Sequence, residues 1–427
     1  MGVTQKTPDV FDKLAGSPVV RRALVDAARA ARRVASGELD AHEGGQASAP
    51  ERENASAMTH SWVFTGPPGS GRSTAALAFA CALVCRTPGV TGCGTCKDCR
   101  AVLADTHGDV VHLVPHELTI SVATIRGVIR EAAKLPTTAP WRVVIIENAD
   151  RLSESAANAL LKTVEEPPKQ TVIILCAPSL DPRDLAITLR SRCRHLYIPT
   201  PPNDEVARLL VEDGDGAVSE ADAKLAAAAS AGHIGRARIL VKSEASQRRR
   251  AQVLNLAELV YHGDVAFREV TSLVKAIEQE AQETLAPRDE AELEKLRNAL
   301  GMGAKGKGAQ KALRGTAGEI KSLEDQQKRR RTRFLRDAID LSLVDLSGLY
   351  RDALLTRSKA LGDGGVSAIH PDFSGLSGEL AAQNDEAALV GCIDAITHCR
   401  ETLGQNVRPV VALDALVGRL RQACNAS

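Results

Sequence analysis

The stretch Gly66-Pro-Pro-Gly69-Ser-Gly71-Arg72-Ser73-Thr74 reads as a phosphate-binding loop in which one side chain has been exchanged. In the pattern G-x-x-x-x-G-K-[ST], glycines let backbone amides approach a polyphosphate. The lysine meets the β- and γ-phosphates, and the hydroxyl ligates Mg²⁺. Gly66, Gly69, Gly71 and Ser73 fall where the pattern needs them, Thr74 is counted with them as a nucleotide-contact position, and Arg72 stands in place of the lysine. Arginine keeps the charge but is longer and planar, so it does not reproduce the contacts of a compact ammonium. Upstream, His60–Thr65 is a short apolar run, and downstream Ser73–Cys85 is strongly helix-forming. Strand, glycine loop and helix in that order are the context a phosphate loop requires. Two further apolar runs, Trp141–Ile146 and Thr171–Cys176, are expected as buried strands with amphipathic helices between them. The first half is therefore expected to be α/β with a parallel sheet.

The metal side of the same site is also altered. An apolar strand ending in Asp and then Glu normally holds the Mg²⁺ water shell and polarises the attacking water. Here Val143-Val-Ile-Ile146 runs into Glu147 and Asn148. Glu147 is one methylene longer than the expected Asp, and the amide of Asn148 accepts no proton. Two defects in two halves of one site argue against hydrolysis by this chain alone, while binding of ATP or ADP stays open.

Cys85, Cys93, Cys96 and Cys99 place four thiols within fifteen residues, as two overlapping C-x-x-C turns and a fourth cysteine. Zn²⁺ takes four soft ligands in a tetrahedron, and a site closed by four thiolates is structural. The cluster is expected to pin a loop. Cys81 is expected as a buried helix residue.

At 427 residues, two to four domains are expected. Hydrophobic residues make up 44% and charged residues 25%, an ordinary globular balance, and the net charge of +1 excludes a nucleic-acid role resting on bulk charge. No signal-peptide core and no apolar run of spanning length is found, which leads to the expectation of a cytoplasmic chain with no membrane partner. Residues 18–33 read as an amphipathic helix, and residues 36–57 as a polar, flexible insertion. Beyond Pro199-Thr-Pro-Pro202 strand signals stop and helices follow to the end. The Gly/Lys-rich stretch 301–315 is expected as a flexible loop, and Lys328–Arg333 opens an amphipathic helix carrying Phe334, Leu335, Ile339 and Leu343.

Several stretches carry a family resemblance. Asn158-Ala-Leu-Leu-Lys-Thr-Val-Glu-Glu-Pro-Pro168 is close to the NALLKTLEEPP signature of clamp-loader subunits, and Ser191-Arg192-Cys193 matches their SRC motif. Asp181-Pro182 and Thr188 keep the spacing ahead of it, and Asn406-Val-Arg-Pro409 followed by ALDALVGRL resembles the last collar helix. The cysteine cluster and the basic helix over 328–355 are similar to the family's as well. The chain thus resembles the delta-prime group of bacterial DNA polymerase III clamp-loader subunits, which are AAA+ proteins; gamma/tau subunits resemble it too, but keep lysine in the loop and DE after the strand.

The resemblance implies an AAA+ P-loop domain over 1–200 with an inserted zinc module at 85–99. A small helical lid over 201–245 and an all-α collar for oligomerisation over 246–427 would follow. It implies a non-motor subunit of the polymerase III holoenzyme, itself without ATPase or polymerase activity. Such a subunit helps load the sliding clamp onto primed DNA, within a hetero-pentamer with gamma/tau and delta subunits. Arg192, flanked by Ser191 and Cys193, would be an arginine finger reaching the γ-phosphate bound by a neighbouring subunit. Gly232-His-Ile-Gly235-Arg236-Ala-Arg238 resembles the lid's G-S-x-R-D-A element, with Gly235 at the arginine position. Two other readings compete: a self-sufficient P-loop ATPase like the gamma/tau motors, and a nucleic-acid-binding module built on the cysteines and Lys328–Arg333.

Overall fold

The structure, a computed structural model, describes residues 9–14, 17–37, 58–115, 117–214, 217–300, 309–361, 366–405 and 407–426. Most of the expected insertion at 36–57 and the first part of the 301–315 loop lie outside these residues, as does Asn406. The chain divides into two compact units, Met1–Leu209 with Gly232–Arg236, and Leu210–Ala231 with Ala237–Ser427.

In the first unit, five strands form one sheet: β1 (Ser61–Thr65), β2 (Val110–Leu113), β3 (Arg142–Ile146), β4 (Thr171–Ala177) and β5 (Arg194–Tyr197). All pairings are parallel, and the order is β2-β3-β4-β1-β5. Strands β1, β3 and β4 are buried along their whole length, which is why they read as unbroken apolar runs. Alternate side chains serve two cores. Trp62, Phe64, Val143, Ile145, Val172 and Ile174 pack on one face with the helices Pro18–Ala35 and Arg72–Val84. Val63, Val144, Ile146, Ile173 and Leu175 pack on the other with Val122–Ala132 and Glu154–Glu165. The Arg72–Val84 helix is alanine-rich because it lies buried over the sheet, and Trp62 meets Phe79 edge-on at 5.4 Å.

Strands β2 and β5 went unread in the sequence for a physical reason. Each has four residues; β2 is only half-buried, and β5 is a largely exposed edge whose sequence, RHLY, carries no apolar run. Both are placed by their neighbours. At the start of β2, the fully buried Asp109 accepts bonds from the backbone amides of Thr137, Thr138 and Ala139 at 2.8, 2.7 and 2.9 Å, and from Arg142 Nη2 at 3.2 Å.

The second unit is helical among the described residues. Glu244–Leu259, Val265–Ala299, Ala309–Arg357, Ser374–Gln383, Glu386–Gly404 and Pro409–Ala423 share a core that includes Val253, Leu273, Ile339, Leu346, Leu389 and Leu413. The long helix begins at Ala309, so residues 309–315 are helical where a flexible loop is expected from the sequence. From Ala309 onward the glycines thin out and Ala, Gln, Lys, Leu and Arg, all good helix formers, take over. Arg250 is bonded bidentately to Asp372 at 2.6 and 2.7 Å and reaches His370 Nδ1 at 2.9 Å, which ties the segment before Ser374 to the bundle.

Candidate functional site

The glycine loop leaves the end of β1, and its glycines have steric reasons to be glycine. A Cβ on Gly66 would stand 2.1 Å from the Ile198 carbonyl oxygen. On Gly69, whose φ is +86°, a Cβ would stand 2.1 Å from Cγ of His233. His233 belongs to the lid-like element Gly232–Arg236 and packs directly on the loop; burial lowers its pKa, with Arg236 adding to the effect. Gly71 is the N-cap of Arg72–Val84, with no side-chain cap bond, so its first-turn amides are open toward the loop. Ser73 follows in the first turn, and Thr74 is exposed.

Arg72, Ser73 and Glu147 meet at the mouth of the loop, where a nucleotide's metal would lie. Ser73 Oγ donates a short hydrogen bond to Glu147 Oε2, so the two groups that would share the metal are bonded to one another. The other oxygen, Oε1, faces His112 Nε2 at 2.9 Å. Burial opposes the charge on Glu147, but the bonds from His112 and Ser73 and the nearby Arg72 outweigh it and hold the pKa below the ordinary value. Burial likewise opposes charge on His112, and Glu147 and Asp105 outweigh it, so its pKa is raised. Burial pushes the Arg72 pKa down, and its Nη1 is enclosed without a hydrogen-bond partner among the described residues. Asn148 has φ +50°, a left-handed conformation that asparagine tolerates better than most residues. The backbone turn after β3 is thus a sufficient reason for that amide.

Ser191, Arg192 and Cys193 lie elsewhere. They form the turn between the short helix Ile187–Arg190 and β5. Trp62 pairs with Arg194 and Thr65 with Tyr197, so Arg192 precedes the strand at the end of the sheet opposite the glycine loop, with roughly 13 Å of strand between. The side chain is exposed, its Nη1 donates to the Thr188 carbonyl at 3.0 Å, and its Nε lies 3.1 Å from Glu165 Oε2. Ser191 donates to the same carbonyl at 3.1 Å. Cys193 is turned inward, its thiol pKa pushed up to about 12 by burial. The arrangement brings Arg72, Ser73 and Glu147 together and keeps Arg192 away from them.

The four cysteines converge, with ligand sulfurs all within 4.8 Å of one another, and could hold a metal ion. Sulfurs bound to one Zn²⁺ at about 2.3 Å in a tetrahedron lie about 3.8 Å apart; Cys85 and Cys93 are 3.7 Å apart. Backbone amides of Cys93, Cys96 and Cys99 point at the sulfurs of Cys85, Cys93 and Cys96 at 3.3–3.4 Å, the pattern that favours thiolates. Burial opposes ionisation of Cys93, but the Thr87 hydroxyl and nearby amides draw its pKa down to about 5, whereas burial pushes Cys96 up to about 12 and the bond with Cys81 raises Cys99. Cys81 is buried on the helix beneath, as expected.

The basic run Lys328–Arg333 is largely neutralised within its own unit. Arg330 bonds Asp289 and Glu292 at 2.9 and 3.0 Å, Arg331 reaches Asp289 at 2.9 Å, and Arg333 meets Asp337 at 3.2 Å. Asp289 and Glu292, on Val265–Ala299, were not legible as partners in the sequence. Arg238 of the lid-like element is tied to Asp213 at 2.9 Å, and Arg236 is buried. His112 and His233 are the site residues that sequence reasoning missed: His112 sits in no motif, His233 lies within the lid-like element but was given no role there, and each is joined to the loop only by folding.

No helix among the described residues is long and apolar enough to cross a membrane. Residues 51–202 match a family profile described as "DNA polymerase III, delta subunit". The chain is 31% identical to the DNA polymerase III subunit delta' of Bacillus subtilis over 205 residues, 48% of this chain and 60% of that protein. It is 34% identical to the subunit delta' of Escherichia coli over 209 residues, 48% of this chain and 61% of that protein. The DNA polymerase III subunit tau of Bacillus subtilis is also similar, at 34% over 144 residues, 32% of this chain and 24% of that protein. The matches therefore span less than two thirds of these relatives. Profile and relatives agree, and the glycine-loop domain of this chain is similar to DNA polymerase III delta-prime subunits.

Proposed function

We propose that the chain is the non-motor, delta-prime subunit of a clamp loader and completes a neighbouring subunit's ATP site with Arg192. The observation that carries this reading is the separation within one domain. An exposed arginine on an SRC turn stands at the far end of the sheet from a glycine loop whose metal-side groups are bonded to one another. A guanidinium held by one exposed ion pair and one bond to the Thr188 carbonyl is free to leave them, because an exposed ion pair is worth at most about 1 kcal/mol and a solvent-accessible hydrogen bond a similar amount. At a transferring phosphoryl group the same side chain neutralises charge on the equatorial oxygens.

In this reading Cys85, Cys93, Cys96 and Cys99 hold a structural Zn²⁺ that pins the loop between the helices Arg72–Val84 and Lys97–Leu103. The ion supplies rigidity and no reaction step. The helices over 201–245 serve as the lid and those over 246–427 as the collar. Partners are gamma/tau and delta subunits in a hetero-pentamer, with sliding clamp and primer-template DNA engaged through the assembly. The ion pairs that neutralise Arg330, Arg331 and Arg333 weigh against DNA binding through that run. The altered glycine loop weighs against a self-sufficient motor.

The test is to purify the chain alone and mix it with gamma/tau and delta subunits. Expected is no ATP turnover by the chain alone and a stable complex on mixing, whose turnover rises with clamp and primed DNA. Turnover by the isolated chain that Arg72→Ala abolishes would instead establish a motor.

A further inference from the structure

We propose that His112 is the residue that keeps Mg²⁺-bound nucleotide out of the glycine loop, an inference that rests on reading this loop as a non-motor site. The placement follows from strand register. His112 on β2 pairs with Ile145 on β3, and Glu147 lies two residues beyond Ile145, so His112 and Glu147 share one face of the sheet. That is the face covered by the helix Arg72–Val84, which delivers Ser73. A chain of contacts results: Ser73 Oγ to Glu147 Oε2, Glu147 Oε1 to His112 Nε2 at 2.9 Å, and His112 Nδ1 to Asp105 Oδ1 at 3.3 Å. Each oxygen of Glu147 is bonded by a group of this chain, so a metal ion approaching the carboxylate meets Ser73 on one side and the His112 ring on the other.

Mg²⁺ requires near-octahedral oxygen ligands at about 2.0–2.1 Å and tolerates little distortion. Entering here, it would have to break the Ser73–Glu147 bond and strip His112 from the carboxylate. Imidazole offers little in return, being a poor partner for so hard a cation. The Arg72 substitution acts differently: its charge helps hold Glu147 ionised, while its Nη1 has no hydrogen-bond partner among the described residues. Removing His112 changes the balance. A buried carboxylate oxygen then lacks a partner, and an unpaired buried anion is costly enough to draw in a cation. Ser73 and Glu147 are the groups that would ligate it.

The experiment measures binding of a fluorescent ADP and a fluorescent ATP to the full chain, in Mg²⁺ and in EDTA. Wild type is compared with His112→Ala, His112→Leu and His112→Gln, with folding of each checked by circular dichroism. His112→Leu fills the volume without a donor and decides the matter should the alanine variant unfold. His112→Gln keeps an N–H donor for Glu147. Expected for wild type and His112→Gln is affinity that differs less than about twofold between Mg²⁺ and EDTA, or no binding in either. The Ala or Leu variant is expected to bind at least about tenfold more tightly with Mg²⁺ than with EDTA. Mg²⁺-enhanced binding by wild type overturns the proposal, and so does a folded Ala or Leu variant that gains none. Neither result bears on turnover, so this inference can fail while the non-motor reading stands, and ATP turnover by wild type would sink that reading separately.

Discussion

One methylene separates Glu147 from the aspartate of the usual pattern, and each of its oxygens is bonded once, to Ser73 and to His112. Asp109, at the other end of β2, shows the same economy in a structural role. Burial opposes its charge, yet three backbone amides, two threonine hydroxyls and Arg142 hold its pKa well below the ordinary carboxylate value. Asp109→Asn turns one acceptor oxygen into a donor facing donors and removes the charge that Arg142 pairs with, so a loss of about 3–5 kcal/mol in unfolding free energy by urea titration is expected. The pH dependence has a definite sign. Because the folded-state pKa is depressed, the stabilisation is complete above the unfolded value near 3.8 and is lost as acid titrates the folded group. Asp109→Asn should therefore flatten the acid limb of stability below that value; an unchanged limb would assign the acid sensitivity elsewhere. At this scale Arg72, Glu147 and the cysteines were legible because motif spacing fixes their roles. His112 was not, because 35 residues separate it from Glu147 and only the β2–β3 pairing joins them.

Among the elements, the loop between Arg72–Val84 and Lys97–Leu103 carries the four cysteines that could hold a metal ion. The amide-to-sulfur bonds and the clustered thiols are arranged for a tetrahedral metal. Elemental analysis of the purified chain should give one zinc per chain, and Cys93→Ser or Cys96→Ser should reduce it to near zero while raising protease cleavage between residues 86 and 97. Metal retained in both variants would place it elsewhere. The central strands were readable because burial on both faces makes them uniformly apolar, whereas β2 and β5, being short and partly exposed, lack that signature. Helices were readable by composition, but the start at Ala309 was obscured by the glycines just before it. The run Lys328–Arg333 looked like an available surface only because its acidic partners Asp289 and Glu292 are some forty residues away in the chain.

For the whole molecule, each unit has its own core, so core lesions should separate by unit. Leu346→Ala in the helical bundle, fully buried, is expected to cost about 3 kcal/mol and to weaken complex formation with partner subunits, while zinc content is unchanged. Loss of zinc in that variant would show that the units are not separable in this way. The central claim is that this chain contributes to ATP hydrolysis at a site it does not itself contain. The most direct test reconstitutes the loader with gamma/tau and delta subunits and compares wild type with Arg192→Ala and Arg192→Lys, reading clamp- and DNA-stimulated hydrolysis. The account predicts intact assembly and a fall at the completed site on the order of 10³-fold for Ala, with Lys recovering little because it lacks the planar fork. Undiminished hydrolysis in an assembled Arg192→Ala complex would contradict it.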